Sequence, residues 1–248
     1  MQVNPESNLD PVEIFLKSWR LYQEIIEHNY MFHREITHAV ANELEDFKPG
    51  KNLRILDLGC GDASMALPLI PPDRIHEYVG CDLSQPALDI ASQKLNANHI
   101  PYQLICEDMV RVASEQADNS IDLIISSYAI HHLNEPQKQQ IVRDIARMLC
   151  PGGGFVLIDI FREPNEDRAA YMRNYMGRLR QTWTRLSPES QSMVIDHATN
   201  YDFPETTHFF EMLCQKQHLS TGKQLAKKTW HEAWHFSKQN ASTNIYDQ

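Results

Sequence analysis

Positive charge is scarce in this chain: 23 lysines and arginines stand against 33 acids, a net charge of −10 with a pI near 5.6. An acidic surface repels polyanions, which argues against a nucleic-acid partner held along a broad basic face, and small or weakly charged ligands fit better. Long hydrophobic runs are missing too. No stretch is apolar over the length of a membrane span, and "MQVNPESNLDP" has no basic segment followed by an apolar one, so the expectation is a cytoplasmic protein with no membrane partner. The five cysteines (Cys60, Cys81, Cys106, Cys150, Cys214) are odd in number and lack CxxC spacing, which argues against a disulfide framework and for reduced residues in core elements. Internal repeats are absent, and the one low-complexity candidate is the polar tail 237–248, expected to be flexible.

What is present is organised. A chain of 248 residues with 42% hydrophobic content can bury one large core, with a modest elaboration. Asp10, Pro11 and Glu13 form a helix start, and the stripe Phe15, Trp19, Tyr22, Ile26 carries the helix to about Glu27. A second stripe (His33, Ile36, Val40, Leu44, Phe47) ends at "KPGK", so residues 10–48 read as two N-terminal helices. Strands and helices then alternate over 52–160: "LRILDL", a helix from Ala63, "EYVGCD", a helix from Ser84, "YQLIC", a short helix, "SIDLIISS", a helix over Glu135 to Leu149, and "GFVLIDI". That rhythm is a doubly wound α/β sheet. Residues 162–201 interrupt it with a long helical region, roughly Asn165 to His197, that reads as a cap, and 202–236 supply a closing helix and strands.

Within "NLRILDLGCGDASMA" (Asn52 to Ala66), Gly59 and Gly61 follow a buried strand, where glycine permits unusual dihedrals and lets a ligand lie against the main chain. The bland alternative is a tight turn with no ligand. A dinucleotide site would want a third glycine where Ser64 stands, and a P-loop would want a lysine that is not there. Asp82, at the end of the second strand in "YVGCDLS", can accept both hydroxyls of a ribose. Asp108, in "LICEDM", could accept from an adenine amino group, with Leu83 and Met109 on the ring faces. The alternative for both acids is a solvated loop carboxylate, while Asp57 is expected to organise the glycine turn through backbone hydrogen bonds. The combination describes an adenosine without phosphates.

These residues carry a resemblance. "LDLGCGD" (Leu56 to Asp62), Asp82, Asp108, "DLIISSYAIHHL" (Asp122 to Leu133) and "LCPGGGFVLID" (Leu149 to Asp159) resemble, in order and spacing, the motifs of class I S-adenosylmethionine-dependent methyltransferases. The resemblance covers about residues 50–160 and implies a Rossmann-like seven-stranded sheet in the order 3-2-1-4-5-7-6 with strand 7 antiparallel, "QLAKKT" and "HEAWHFS" being the closing strands. It implies S-adenosyl-L-methionine as cofactor, held by Asp57, Gly59, Cys60, Gly61, Asp82, Leu83, Asp108, Met109 and Ser126. It also implies methyl transfer to an oxygen or nitrogen of a small molecule, in a monomer or homodimer.

His131, His132 and Tyr128 follow the fourth strand, where the family's active-site rim lies, and a histidine can act as a base near neutral pH. His131 is expected to face the substrate as that base, whereas His132 could instead pack inward or cap the next helix. Candidate acceptor contacts are Tyr22, Tyr30, His33 and Arg34 from the N-terminal helices, and Tyr175 and Trp183 from the cap. Six arginines and three acids lie between Arg162 and Arg185, a local excess that could recruit an anion but also reads as a solvated helix face.

"HEAWH" (His231 to His235) satisfies the zinc-protease pattern, which requires a helix and a third ligand. The segment sits where a closing strand is expected, so no metal is assigned. Other classes remain open: a non-catalytic S-adenosylmethionine-binding regulator, or a protein or RNA methyltransferase. "SSYA" (Ser126 to Ala129) lacks the Pro-Pro-aromatic step of amide and base-amine methylases, and an arsenite-type activity would have only Cys214 to offer outside the core.

Overall fold

The structure is a computed structural model that describes residues 20–239. The helix start at Asp10, Pro11 and Glu13, the positions Phe15 and Trp19, and residues 240–248 of the tail lie outside the described residues. Seven strands form one sheet in the order β3-β2-β1-β4-β5-β7-β6: β1 (Leu53–Leu58), β2 (Ile75–Asp82), β3 (Tyr102–Cys106), β4 (Ile121–Ser127), β5 (Leu149–Ile160), β6 (Lys223–Lys228) and β7 (His231–Ser237). The first five pair in parallel and β7 runs antiparallel to both of its neighbours, as the resemblance implies.

Central strands of such a sheet are apolar on both faces because helices cover both. One face carries Leu56, Leu58, Val79, Ile124, Phe155 and Phe236 under α3 (Met109–Glu115), α4 (Glu135–Met148) and α7 (Thr207–Lys216). The other carries Ile55, Tyr78, Leu123, Ile125, Val156 and Ala233 under α1 (His33–Glu45) and α2 (Gln85–Ala97). Sequence chemistry starts these helices locally. Ser84 caps α2, and Asn134 and Gln137 form a reciprocal capping box at α4.

Two expectations about helices need correction. No α-helix forms from Ala63: residues 62–66 are turns, and only a single 3-10 turn, Leu67–Leu69, follows. Ala63 is left-handed (φ 62°), and Asp62 accepts hydrogen bonds from the amide and hydroxyl of Ser64, a local bonding pattern that competes with a helix. Pro68, Pro71 and Pro72 then exclude one. The cap, read as one long helical region, is two helices, α5 (Arg168–Thr182) and α6 (Pro188–Tyr201), because Ser187 and Pro188 cap and start a new one.

The cysteines are unpaired: Cys60, Cys81 and Cys214 are buried, Cys150 is partly exposed and Cys106 is exposed. Cys214, the candidate reactive thiol, is packed in the core, and burial pushes its pKa up. "HEAWH" lies on β7, where positions four apart are roughly 13 Å apart along the strand, too far for two histidines to share an ion. Among the described residues, no helix is long and apolar enough to cross a membrane.

The cap and the helical segment 20–27 meet over the C-terminal ends of the strands, where Ile25 packs with Leu179, Trp183 and Leu186. Beneath that contact, aromatic rings tie four elements together. Tyr128, after β4, touches His33 of α1 (ring centroids 5.3 Å apart) and His231 of β7 (5.9 Å), and Tyr175 of α5 also touches His231 (5.8 Å).

Burial lowers the pKa of both histidines from 6.5, to about 4 for His33 and about 3 for His231. Between pH 6.5 and those values the unfolded chain binds protons that the folded chain does not, so stability must fall as pH drops through that window. The His33 shift alone corresponds to about 3 kcal/mol. Urea titrations between pH 7 and 4 are expected to show this loss, and His33→Phe is expected to flatten it; an unchanged slope in the variant would refute the assignment.

Candidate functional site

The turn after β1 is built by hydrogen bonds to its main chain. Gly59 and Cys60 both donate their amides to the Cys81 carbonyl (2.9 Å each), and Gly61 donates to Asp82 Oδ2 (2.9 Å). Asp82 Oδ1 accepts from the Ser84 amide (2.9 Å), so this one carboxylate joins the glycine turn to the start of α2. That role was expected of Asp57. Asp57 instead accepts from the Tyr78 hydroxyl (2.7 Å), and its buried Oδ1 has no hydrogen bond among the described residues. Burial pushes Asp57 up to about 7.

Both glycines take left-handed backbone, at φ 72° for Gly59 and 51° for Gly61. A Cβ on Gly59 would collide with Ala129, whereas one on Gly61 would project into open space. That space is a cleft of about 330 Å³ lined by Asp57, Gly59, Cys60, Gly61, Asp82 and Tyr128. A second lobe of about 520 Å³ shares Gly59, Asp82 and Tyr128 with it and is walled by Leu83, Asp108 and Met109. Leu83 is 74% exposed there, a large apolar side chain facing the lobe. Asp108 Oδ1 caps α3, accepting from the amides of Val110 (2.9 Å) and Arg111 (3.2 Å). Ser126 does not reach the cleft. It is fully buried and donates to the Leu58 carbonyl (3.0 Å), while its neighbour Ser127 lines the cleft.

A separate cavity of about 280 Å³ lies between the 20–27 helix and the cap. Its walls are mainly apolar (Leu21, Ile25, Met31, Ile160, Val194, Ala198), with Tyr22, Tyr175 and Trp183 beside them. Its polar end is His131, His132, His197 and Asp202. Tyr128 lines this cavity and both lobes of the cleft, and Tyr22 lines the cavity and the first lobe. Tyr128 holds a left-handed backbone (φ 53°), costly for a bulky side chain. Its amide donates to the Ile158 carbonyl (2.7 Å) and its hydroxyl to the Met31 carbonyl (2.8 Å).

At the polar end, Asp159 on β5 accepts from the His131 amide (3.0 Å) and faces His131 Nδ1 at 2.5 Å. The other ring nitrogen faces Asp202 Oδ1 at 3.5 Å. Burial favours a neutral His131 ring, but the charges of Asp159 and Asp202 outweigh it and push its pKa up. The ring is 6% exposed, and with Nδ1 engaged by Asp159 only Nε2 is turned toward the cavity, beside Asp202. His132 does not pack inward. It is exposed and lines both the cavity and the second lobe, with Nδ1 3.1 Å from the Tyr201 carbonyl and 3.4 Å from Asp202 Oδ1.

Of the other candidate acceptor contacts, Tyr30 stacks behind Trp183 (4.9 Å between centroids) and accepts from the Arg185 amide. His33 lies beneath Tyr22 and Tyr128 and lines none of these cavities, and Arg34 is exposed, donating to the Glu27 carbonyl. None of the six cap arginines lines the enclosed cavity; Arg162 and Arg168 bind main-chain carbonyls of 199–204 instead. Asp159 and Asp202 were not singled out in the sequence. An acid inside the apolar run "GFVLIDI" was a usable signal for the first, whereas nothing local distinguishes the second.

Residues 55–153 match the family described as "Methyltransferase domain". The chain is 28% identical over 146 residues to a carboxy-S-adenosyl-L-methionine synthase of Actinobacillus succinogenes, covering 57% of this chain and 58% of that protein. It is 32% identical over 129 residues to an uncharacterized methyltransferase of Synechocystis, covering 52% and 56%. This chain thus spans little more than half the length of these relatives. An O-methyltransferase family protein from Burkholderia thailandensis superposes with a TM-score of 0.61 over 85% of this chain and 57% of that one, at 12% identity, a likeness of fold.

The two glycines are expected to differ on substitution. Left-handed backbone costs a side chain about 1–2 kcal/mol at either position, but only Gly59→Ala adds the collision with Ala129. Urea denaturation should show Gly59→Ala less stable than Gly61→Ala; equal losses would contradict this geometry.

Proposed function

From a core that belongs to the class I S-adenosylmethionine-dependent methyltransferases, we propose that the protein transfers a methyl group from S-adenosyl-L-methionine to an oxygen or nitrogen of a small, largely apolar molecule. The observation that carries this reading is the position of Tyr128, a wall common to the two-lobed cleft and to the enclosed cavity. Cofactor and acceptor meet there.

The cleft suits the cofactor. Gly61 leaves open space against the main chain, and the unsatisfied Asp57 Oδ1 calls for a donor. Each Asp82 oxygen accepts one amide and keeps lone-pair capacity for a ribose hydroxyl. Leu83 and Met109 offer apolar faces to a flat base whose amino group Asp108 can receive. When bound, S-adenosylmethionine supplies a methyl carbon on a positively charged sulfur, open to in-line attack by a lone pair.

The chain's own contribution is position and enclosure. Aligning two reactants can be worth roughly 7–11 kcal/mol. The 20–27 helix and the cap form walls of the cavity, its apolar side chains hold the body of the acceptor, and the polar end receives the atom to be methylated. Asp159 positions His131, and Asp202 and the exposed His132 border the acceptor directly. A cavity of about 280 Å³ favours a small molecule over a protein or RNA strand, in keeping with the net charge of −10.

Calorimetric titration with S-adenosylhomocysteine is expected to give micromolar binding, weakened in Asp82→Ala by about 1.5–3 kcal/mol, tenfold or more. Ala198→Trp, which fills the enclosed cavity, should keep that binding while abolishing S-adenosylhomocysteine release across a panel of small phenols, carboxylates and amines. Tighter binding of NAD than of S-adenosylhomocysteine would overturn the cofactor assignment. Binding without turnover on any acceptor would favour a regulator.

A further inference from the structure

We propose that His131, His132 and Asp202 form a binding site for one divalent transition-metal ion at the polar end of the enclosed cavity. One ligand atom from each residue lies within 4.8 Å of the others. Asp202 Oδ1 stands 3.5 Å from His131 Nε2 and 3.4 Å from His132 Nδ1. Charge-assisted hydrogen bonds close at about 2.7–2.9 Å, so these separations are too wide for them. They match the edges of a ligand tetrahedron instead: bonds of about 2.0–2.1 Å at tetrahedral angles put neighbouring donor atoms roughly 3.3–3.4 Å apart.

Two independent features point to the same place. Asp202 is 6% exposed, and its Oδ1 has no hydrogen bond among the described residues. Its nearest partners are imidazole nitrogens at 3.4–3.8 Å, and a buried carboxylate oxygen held at that range is better satisfied by a directly coordinated cation. Asp159, through Nδ1 and the main-chain amide of His131, aims Nε2 at the cluster, as outer carboxylates do for metal-bound histidines. Binding would replace the contact of His132 Nδ1 with the Tyr201 carbonyl.

The donor set selects the ion. Two imidazole nitrogens and one carboxylate oxygen suit zinc, cobalt or ferrous iron, whereas magnesium and calcium prefer all-oxygen shells. Three protein ligands leave a position open, as catalytic sites do. His197, with Nε2 3.8 Å from the same Asp202 oxygen, stands beside it, and the cavity opens onto it. An acceptor oxygen placed there would be bound and made easier to deprotonate. That consequence rests on the methyl-transfer reading; the ion site itself does not. Because Asp202 follows α6 while the histidines follow β4, the ion would also fasten the cap to the sheet.

The experiment uses the full chain after chelator treatment, titrated with Co²⁺ by visible absorption and with Zn²⁺ by calorimetry. S-adenosylhomocysteine affinity is measured on the same samples. One equivalent should bind, with the intense visible bands of four- or five-coordinate cobalt. Asp202→Asn and His132→Ala should each weaken binding at least tenfold, and Asp159→Asn by about 10- to 100-fold. His208→Ala, at an exposed position on α7, should bind as the unaltered chain does. Should Asp202→Asn fail to fold by circular dichroism, His132→Ala decides the question. Absence of saturable binding by either ion, or binding unchanged in His132→Ala, overturns the site. If S-adenosylhomocysteine still binds, the methyl-transfer reading stands; loss of that binding with the ion retained overturns that reading alone.

Discussion

The arrangement depends on the strained backbone of Tyr128. A bulky residue adopts φ 53° only when its surroundings hold it there, and here the Ile158 carbonyl takes its amide while the Met31 carbonyl takes its hydroxyl. Its ring packs against His33 and His231. These contacts fasten the end of β4 to β5, to the segment before α1 and to β7. They also make Tyr128 a wall of both lobes of the cleft and of the cavity under the cap, with Tyr22 and His132 beside it.

Electrostatics divides the site into three regions. Acids dominate the cleft: Asp57, Asp82 and Asp108 all line it. The burial that pushes Asp57 up is offset for a ligand that brings positive charge. Below the cavity, His33 and His231 are held neutral by burial, so that layer adds shape without charge. At the polar end the opposite holds: against the burial that would lower it, Asp159 and Asp202 push the His131 pKa up, while the His131 and His132 rings hold Asp202 below the usual carboxylate range despite its burial. Three electrical environments thus lie around one tyrosine.

The cap arginines show how composition can mislead. Six lie between Arg162 and Arg185, yet none lines the cavity under the cap, whose walls are mainly apolar and whose polar end is made of histidines and Asp202. Arg162 and Arg168 are occupied in binding carbonyl groups of the loop that carries Asp202. Their charge serves the placement of that loop.

The sequence by itself determined the strands, the glycine turn and the acids that close the second and third strands, because each is written within a few consecutive residues, while the order of the strands came with the family resemblance. A strand, its terminal acid and the following helix cap are local chemistry, and "YVGCDLS" and "LICEDM" contain all three. Only the tertiary structure decided the rest. Ser127 rather than Ser126 enters the cleft because a strand buried on both faces has no polar alternation to read. The helix expected from Ala63 gave way to prolines and to the Asp62 turn. Asp159 and Asp202 reach the His131 ring across 28 residues and from the far end of the cap, distances over which no spacing rule operates. The cavity under the cap exists only where the 20–27 helix, the cap and the strand ends close on one another.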